Sequence, residues 1–340
     1  MLGNNNLIGK LSPLRVPLKL RILARIVTSI ITLIAISLVF FVLIEWAPGD
    51  FATIRSADLV HDIIPPQPGL TAQLTAQTGL DAPAHTRYWS WLTSMAQGDF
   101  GYSFGNQQPV SPLLLKRFVN TLHLAFLTLC LVLPLGIGLA MYCAIHRRSL
   151  IDRITCAIAT LCYSIPEFLL GYGVVSLLAV SLGWFPSLAL APADANILTQ
   201  LYFLALPVLT LTIIASITLF IPCRALIIAE SNKEHIQMAH LKGIRPWRIT
   251  IFHILPGCLG PLFNIIVMTF ANLIGGVIIT EIVFVYPGLG QLLVDAVLHQ
   301  DLPVVLACSV VISSCYVLLV MVADLITIIS NPKISDATGG

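Results

Sequence analysis

The chain has 340 residues, 57% of them hydrophobic and only 10% charged, with a mean hydropathy of +0.92 and a net charge of +2. Soluble domains carry about 25% charged residues, so this composition excludes a water-exposed globule, and so small a net charge gives no footing for a nucleic-acid partner. It describes an all-α integral membrane protein in which the positions of the charges carry the meaning.

A membrane helix needs about 20 mostly apolar residues. Six segments supply them, at residues 22–44, 120–145, 154–182, 201–225, 260–285 and 303–329. A tail of residues 1–21 precedes the first. That first run has the basic flank of a signal peptide, but it is too long for a signal h-region, and "IEWAPGD" has no small-x-small cleavage site. It reads as a retained anchor helix. Residues 45–119 then form one large segment with a rigid "PPQPG" and an aromatic stretch, "TRYWSWLTSMAQ". Its Tyr88, Trp89, Trp91 and Leu92 fit a short helix at the membrane interface better than a ligand cage.

Residues 120–329 make up the helical core, and 330–340 the closing tail. With six spans both termini lie on one side. Lys10, Arg15, Lys19, Arg21, Arg25, Arg147, Arg148, Arg153, Arg224, Lys233, Lys242, Arg245, Arg248 and Lys333 cluster on that side, against Arg55, Arg87, Lys116 and Arg117 on the other. The positive-inside rule makes the basic side, and hence both termini, cytoplasmic. The eight cysteines lie in or beside apolar runs with no CxxC spacing. His123 is the only histidine well inside a span, and no companion ligand at metal spacing accompanies it.

Between spans four and five lies a polar insert, residues 226–257. Ser231-Asn232-Lys233-Glu234 has the form of a capping box and predicts a helix from near Asn232. Gly243 should end it in a left-handed turn, with Lys242 in the last turn. Pro246 suits the first position of a second helix carrying Trp247, Ile251 and Ile254 on one face, and Pro256 marks the approach to span five. Two uses fit such a hook: an amphipathic connector in the lipid headgroups, or a docking element for a soluble partner.

Ionisable groups inside a bilayer are functional candidates by default, and three stand out here. Glu167 follows Pro166 and reads as a structural acid at a kink or as a path-lining group. Glu281, near the end of span five, reads either as lining a cavity or as holding Pro287-Gly288, with the structural use favoured. Asp324, near the end of span six, fits an ion pair with a loop arginine. Asn264, Asn272 and Thr280 of span five face either a path or a neighbouring helix.

The insert resembles the cytoplasmic loop of ABC-importer permeases, with its E-A-A-x-x-x-G followed by nine residues and I-x-L-P. Gln237, Met238 and Ala239 stand at E-A-A, Gly243 at the glycine and Leu255-Pro256 at L-P. The sequence departs from the pattern at Gln237 and Met238, and at His253 where isoleucine is usual. The rest of the chain is similar to the dipeptide, oligopeptide and nickel permeases. In order, "RILARIVTSIITLIAISLVFFVLIEWAPGD", "GLDAPAHTRYWSWL", "GDFGYSF", "RRSLIDR", "SIPEFLLG", "EIVFVYPGLGQLLVDA", "DLPVV" and "NPKI" match. The long segment 45–119 points to the first, B-type, subunit.

The resemblance implies the type I importer permease fold, six spans with cytoplasmic coupling helices, in a bacterial inner membrane. It implies as partners a second, C-type permease, ATPase subunits, an extracytoplasmic solute-binding protein and membrane lipid. It carries the ATPase-coupling role onto Glu234, Gln237, Ala239, Gly243, Pro246, Leu255 and Pro256. The chain itself has no G-x-x-x-x-G-K-[ST], so ATP and Mg belong to the partner ATPases and no cofactor or catalytic residue is expected here. An ion-coupled carrier using the buried acids is the rival reading, but its related halves are not evident. A membrane hydrolase would need H-E-x-x-H or G-x-S-x-G, and the sequence has neither. Peptides are favoured over nickel because the spans hold no His/Met/Cys ligand cluster.

Overall fold

A computed structural model describes residues 18–45, 83–192 and 194–330. Most of the tail 1–21, the "PPQPG" stretch and residues 331–340 with "NPKI" lie outside the described residues. Among those described the chain is helical, with one isolated bridge between Tyr102 and Pro109. In order come α1 (Leu18–Glu45), α2 (Ala84–Ala96), α3 (Val110–Ile145), α4 (Leu150–Tyr163) and α5 (Glu167–Val174), the last running on as a π-helical segment, Val175–Ser181. There follow α6 (Ile197–Ser231), α7 (Glu234–Leu241) and α8 (Pro246–Ile249). A second π segment, Thr250–Ile254, leads into α9 (Leu255–Val283), and α10 (Leu289–Leu298) and α11 (Leu302–Ser330) complete the chain.

Five helical stretches are long and apolar enough to cross a membrane, and a sixth span exists if α4 and α5 are taken together. The third expected span, 154–182, is interrupted at the kink read at Pro166: its two halves are bent by 105°. Pro166 is the physical reason, since it lacks an N–H and pushes Ile165 out of the helical region. Inside three other long helices proline does not break the run. Pro134 sits inside α3, Pro207 and Pro222 inside α6, and Pro261 inside α9. Membrane helices tolerate such residues because neighbours and local adjustments satisfy the freed backbone groups.

The chain divides into two compact units. The first comprises residues 1–31, 123–286 and 315–340. Within it α6 is the central element, packed on α4, α5 and α9. Leu206, Leu219, Phe220, Cys223, Val277 and Phe284 belong to its buried core. Gly136 of α3 sets one close approach: a Cβ added there would meet the Leu219 side chain at 2.9 Å. Asn196 caps α6, its Oδ1 accepting the Thr199 N–H at 2.8 Å.

The second unit comprises residues 32–122 and 287–314, with Val110, Leu114, Leu289, Val304 and Cys308 in its core. Here the aromatic stretch forms α2 as expected. Its Tyr88 is buried against α1, with the hydroxyl 2.9 Å from Ser37 Oγ and the ring edge-on to Phe41 at 5.3 Å. Asp301 gathers the turn after α2: one carboxylate oxygen accepts the Ser103 hydroxyl and the Gly105 N–H, and the other accepts the Phe104 N–H. The "YPGLGQ" motif is fastened to α3 in the same unit. Asn120 donates to the Pro287 carbonyl and Thr121 Oγ1 accepts the Leu289 N–H, both at 2.8 Å.

The Gly136 contact yields a paired prediction. Gly136→Leu should destabilise the chain by about 1–3 kcal/mol through overpacking, seen as a lower unfolding midpoint in detergent. Gly138→Leu, where an added Cβ meets nothing within 4 Å, should leave the midpoint unchanged.

Candidate functional site

The polar insert folds as a hook. α7 ends at Leu241, and Gly243 adopts φ +72°. The Gly243 N–H donates to the His240 carbonyl at 3.0 Å and the Ile244 N–H to the Ala239 carbonyl at 3.3 Å. These two bonds make a Schellman termination, which leaves few carbonyls of the last turn unpaired. Pro246 then opens α8 at its first turn. The expected glycine stop and proline start are both present.

Two details of the insert differ from expectation. The capping box does not form: α6 continues through Ser231, whose hydroxyl donates to the Ile228 carbonyl at 2.8 Å, and α7 starts at Glu234 with no side-chain cap. A serine inside a longer helix back-bonds to its own turn and has no free N–H to cap. Nor is the second helix separate, because α8, the π segment and α9 form one run from Pro246 to Val283. Within it Ile249 and Ile254 are buried, whereas Trp247 and Ile251 are exposed.

The hook presents two faces. Ile236, Ala239 and Ile249 are buried, and Ile236 and Ile249 are fully so. Glu234, Gln237, Gly243 and Pro246 are exposed, along with Met238, Leu241 and Trp247, over which Arg248 stacks at 5.3 Å. Leu255 is half-buried and Pro256 exposed. Among the described residues the Nδ1 of His253, in the π segment, is buried with no hydrogen-bond partner.

Residues that sequence reasoning passed over fix the hook's base. Glu230, nearly buried, pairs with Lys233 at 2.6 Å. A Cβ on Gly257 would collide with the Glu230 carboxylate, so the glycine lets α9 pass close to α6. The i, i+3 spacing of Glu230 and Lys233 was the available signal. Arg224 grips Asp152 with two parallel bonds, Nε to Oδ1 at 2.7 Å and Nη2 to Oδ2 at 2.8 Å. Asp152 also accepts the Arg148 N–H at 2.9 Å, and Ser149 caps α4 by accepting the Asp152 N–H. No local spacing could have revealed a pair so far apart in sequence.

Deeper in the same unit, α5 and α9 bring two of the intramembrane candidates together. Thr280 Oγ1 donates to Glu167 Oε1 at 3.1 Å. Gly276, one turn earlier, leaves room for the carboxylate, since its added Cβ would stand 3.4 Å from Oε2. Asn272 lies one turn before that and is exposed, and Asn264 is half-buried two turns further back. Glu281 is fully buried, and its carbonyl accepts the Tyr286 N–H at 2.8 Å. Asp324 pairs with Arg25 at 3.2 Å, so its partner belongs to helix α1 and not to a loop.

Comparison with known proteins adds two family matches. Residues 136–336 match the model for "binding-protein-dependent transport system inner membrane component", and residues 19–125 match that family's N-terminal model. A probable peptide ABC transporter permease from Sinorhizobium fredii is 29% identical over 318 residues, covering 92% of this chain and 98% of that protein. The oligopeptide transport system permease AppB of Bacillus subtilis is 31% identical with the same coverage. The glutathione transport system permease GsiC of Salmonella choleraesuis is 30% identical over 317 residues, again covering 92% and 98%. Among solved structures, an inward-facing MetNI methionine ABC transporter aligns at a TM-score of 0.48 with 20% identity, covering 66% of this chain and 96% of that one.

The Asp152–Arg224 clamp can be tested directly. Removing one partner of a largely buried pair strands the other charge and costs about 3 kcal/mol or more, so Asp152→Ala should lower both the yield of folded protein and its unfolding midpoint. The Asp152→Ala/Arg224→Met double variant should recover part of that loss. A loss in the double variant equal to the sum of the Asp152→Ala and Arg224→Met losses would show that the two groups are not coupled.

Proposed function

We propose that this chain, which belongs to the family of binding-protein-dependent transport system inner membrane components, forms half of a translocation path for peptides and couples that path to an ATPase through the 226–257 hook. It is a multi-pass permease subunit of an ABC importer, and hydrolysis is the work of partner subunits. Permease components of this kind bind no cofactor themselves. The alternative of an ion-coupled carrier finds no support among the relatives.

The finer reading is ours. ATP and Mg act on partner ATPases, a C-type second permease completes the path, and an extracytoplasmic solute-binding protein delivers the solute. Both termini and the hook lie on the cytoplasmic face of an inner membrane, supported by the clustering of basic residues there. Peptide transport is supported by the names of the relatives, which include peptide, oligopeptide and glutathione permeases.

The observation that carries the coupling role is the two-faced hook. Its buried side is locked by Ile236 and Ile249, while Glu234, Gln237, Met238 and Leu241 remain exposed beside a rigid glycine turn. A packed element of this kind moves as a body and so transmits a push. We assign Ala239 to the anchoring side, Gly243 and Pro246 to the turn, and Leu255 and Pro256 to the entry into span five. Glu167 is assigned to the path, positioned by Thr280, with Asn264 and Asn272 further along the same helix. Glu281 and Asp324 are assigned structural roles.

Two measurements test these roles. Valine in a left-handed turn costs about 1–2 kcal/mol, so Gly243→Val should insert normally yet reduce peptide uptake by roughly fivefold or more. Gly243→Asn, which tolerates that conformation, should retain most of the activity. Uptake at the wild-type rate in Gly243→Val would sink the coupling role. Glu167→Gln keeps an oxygen for Thr280 while removing the charge, and should lower uptake by about tenfold if a path charge is lost, on the scale of one charge-assisted hydrogen bond. Unchanged uptake would return Glu167 to a purely structural place at the kink.

A further inference from the structure

We propose that the first unit carries a binding site for one anionic phospholipid, with its phosphate on the arginines of the α3–α4 turn and an acyl chain in the groove between α3, α4 and α6. The groove is a cavity of about 830 Å³. Leu131, Leu135, Ile158, Ala159, Leu209 and Phe220 exemplify a lining that is apolar almost throughout. Leu131, Leu135, Ile158 and Leu209 are themselves exposed in the chain, so the groove opens outward to whatever covers this face in the membrane. From Leu201 to Phe220 its wall on α6 covers 19 residue steps, about 28 Å at 1.5 Å each. That is close to the ~30 Å depth of a hydrocarbon core.

Charge at one end selects the occupant. The turn between α3 and α4 holds Arg147 and Arg148, and Arg153 lies in the first turn of α4. All three are exposed. The acid in their midst, Asp152, is consumed by the two-bond grip of Arg224 and by the Arg148 N–H. No ion pair joins the three guanidinium groups to another side chain among the described residues. The lining on α4 begins at Thr155, just beyond Arg153, and the lining on α3 ends at Leu139, about 9 Å of helix before Ile145. A headgroup at the turn thus has its chain aligned with the groove mouth.

The polar atoms in the groove do not oppose this occupant. Thr212 and Ser216 lie one turn apart on α6 and line the cavity, and their hydroxyls have no hydrogen-bond partner among the described residues. Each can rotate onto the carbonyl four residues earlier, as helical threonines and serines do, so an acyl chain beside them strands no polar group. Basic residues at a membrane surface attract anionic headgroups additively, and the bidentate geometry of arginine suits phosphate oxygens. A zwitterionic lipid, with no net charge, gains less from three cations that have no ion-pair partner among the described residues.

The full chain, purified with its co-purifying subunits, would be reconstituted into phosphatidylethanolamine vesicles doped with phosphatidylglycerol bearing an acyl-chain diazirine. Illumination and peptide mapping are expected to place the label on α4 and α6 peptides containing Ile158 and Leu209. The Arg147→Gln/Arg148→Gln/Arg153→Gln variant, altered only at exposed side chains, should lose roughly fivefold or more of that labelling. The same diazirine on phosphatidylcholine should label weakly and equally in both proteins. Equal labelling by the two lipids, or no change in the triple variant, would overturn the site and leave only bulk lipid in the groove. Absence of label there, with Cys130 and Cys162 of the groove protected from a membrane-soluble maleimide, would overturn it in favour of a partner's transmembrane helix.

Discussion

Hydrocarbon offers no water to a backbone group that has lost its partner, so a chain that crosses it must keep its helices whole or break them where something else can compensate. Four prolines here sit within helices that continue past them. Pro166, by contrast, coincides with a break, and the break is where an acid appears: Glu167 begins the helix after the bend. Thr280 and Gly276 of α9 then meet that acid, one with a hydroxyl and the other with empty space. Backbone interruption, charge and compensation thus coincide at one point. A polar site in a membrane can persist only on such terms, because an isolated carboxylate there has no other source of hydrogen bonds.

That point is mechanically connected to the hook. From Pro246 to Val283 the helix runs without a gap, so the turn at Gly243 and the Thr280–Glu167 contact sit at the two ends of a single rod. On the proposed reading, a push on the exposed side of α7 passes through the Schellman turn into α8 and along α9. The base of the rod is not loose. Gly257 lies against Glu230, Glu230 holds Lys233, and Arg224, earlier on the same helix as Glu230, is locked to Asp152. On that same reading, movement of the hook would load α6 and α4 as well as α9, and a short surface element would act on several spans at once.

The sequence made the architecture readable where local chemistry is decisive. Gly243 is free to take the left-handed φ that a side chain resists, and the ring of Pro246 fixes its φ; the glycine stop and the proline start both stand where predicted. Hydrophobic length located the spans to within several residues, although α3 begins at Val110, well ahead of the expected start. The capping box failed because the same Ser231 hydroxyl has two uses, and the continuation of α6 by tertiary packing chose between them. The Arg224–Asp152 pair joins separate helices, so no periodicity could announce it. Asp324 was expected to find an arginine, but the sequence alone did not show that α1 would supply it. Of the intramembrane candidates, the Glu167–Thr280 contact needed the fold, since it depends on which face of α9 meets the bend.

The misplaced face of the second helix in the hook has a simple geometric cause. Steps of four and three from Trp247 lead to Ile251 and Ile254, the stripe that helical spacing predicts. The buried residues are instead Ile249, Thr250, Ile254, Cys258 and Leu262, and the apolar ones follow Ile249 in steps of five, four and four. The step of five falls on the π segment Thr250–Ile254, whose wider turn accommodates one extra residue. Without it, the inward face set by Ile249 would drift away from Cys258 and Leu262 as the helix enters the membrane. With it, one buried stripe continues from the hook into span five, and Trp247 and Ile251 are left outward beside the exposed side chains of α7. The same insertion that misled the periodicity is what lets a surface hook and a transmembrane span share a single buried seam.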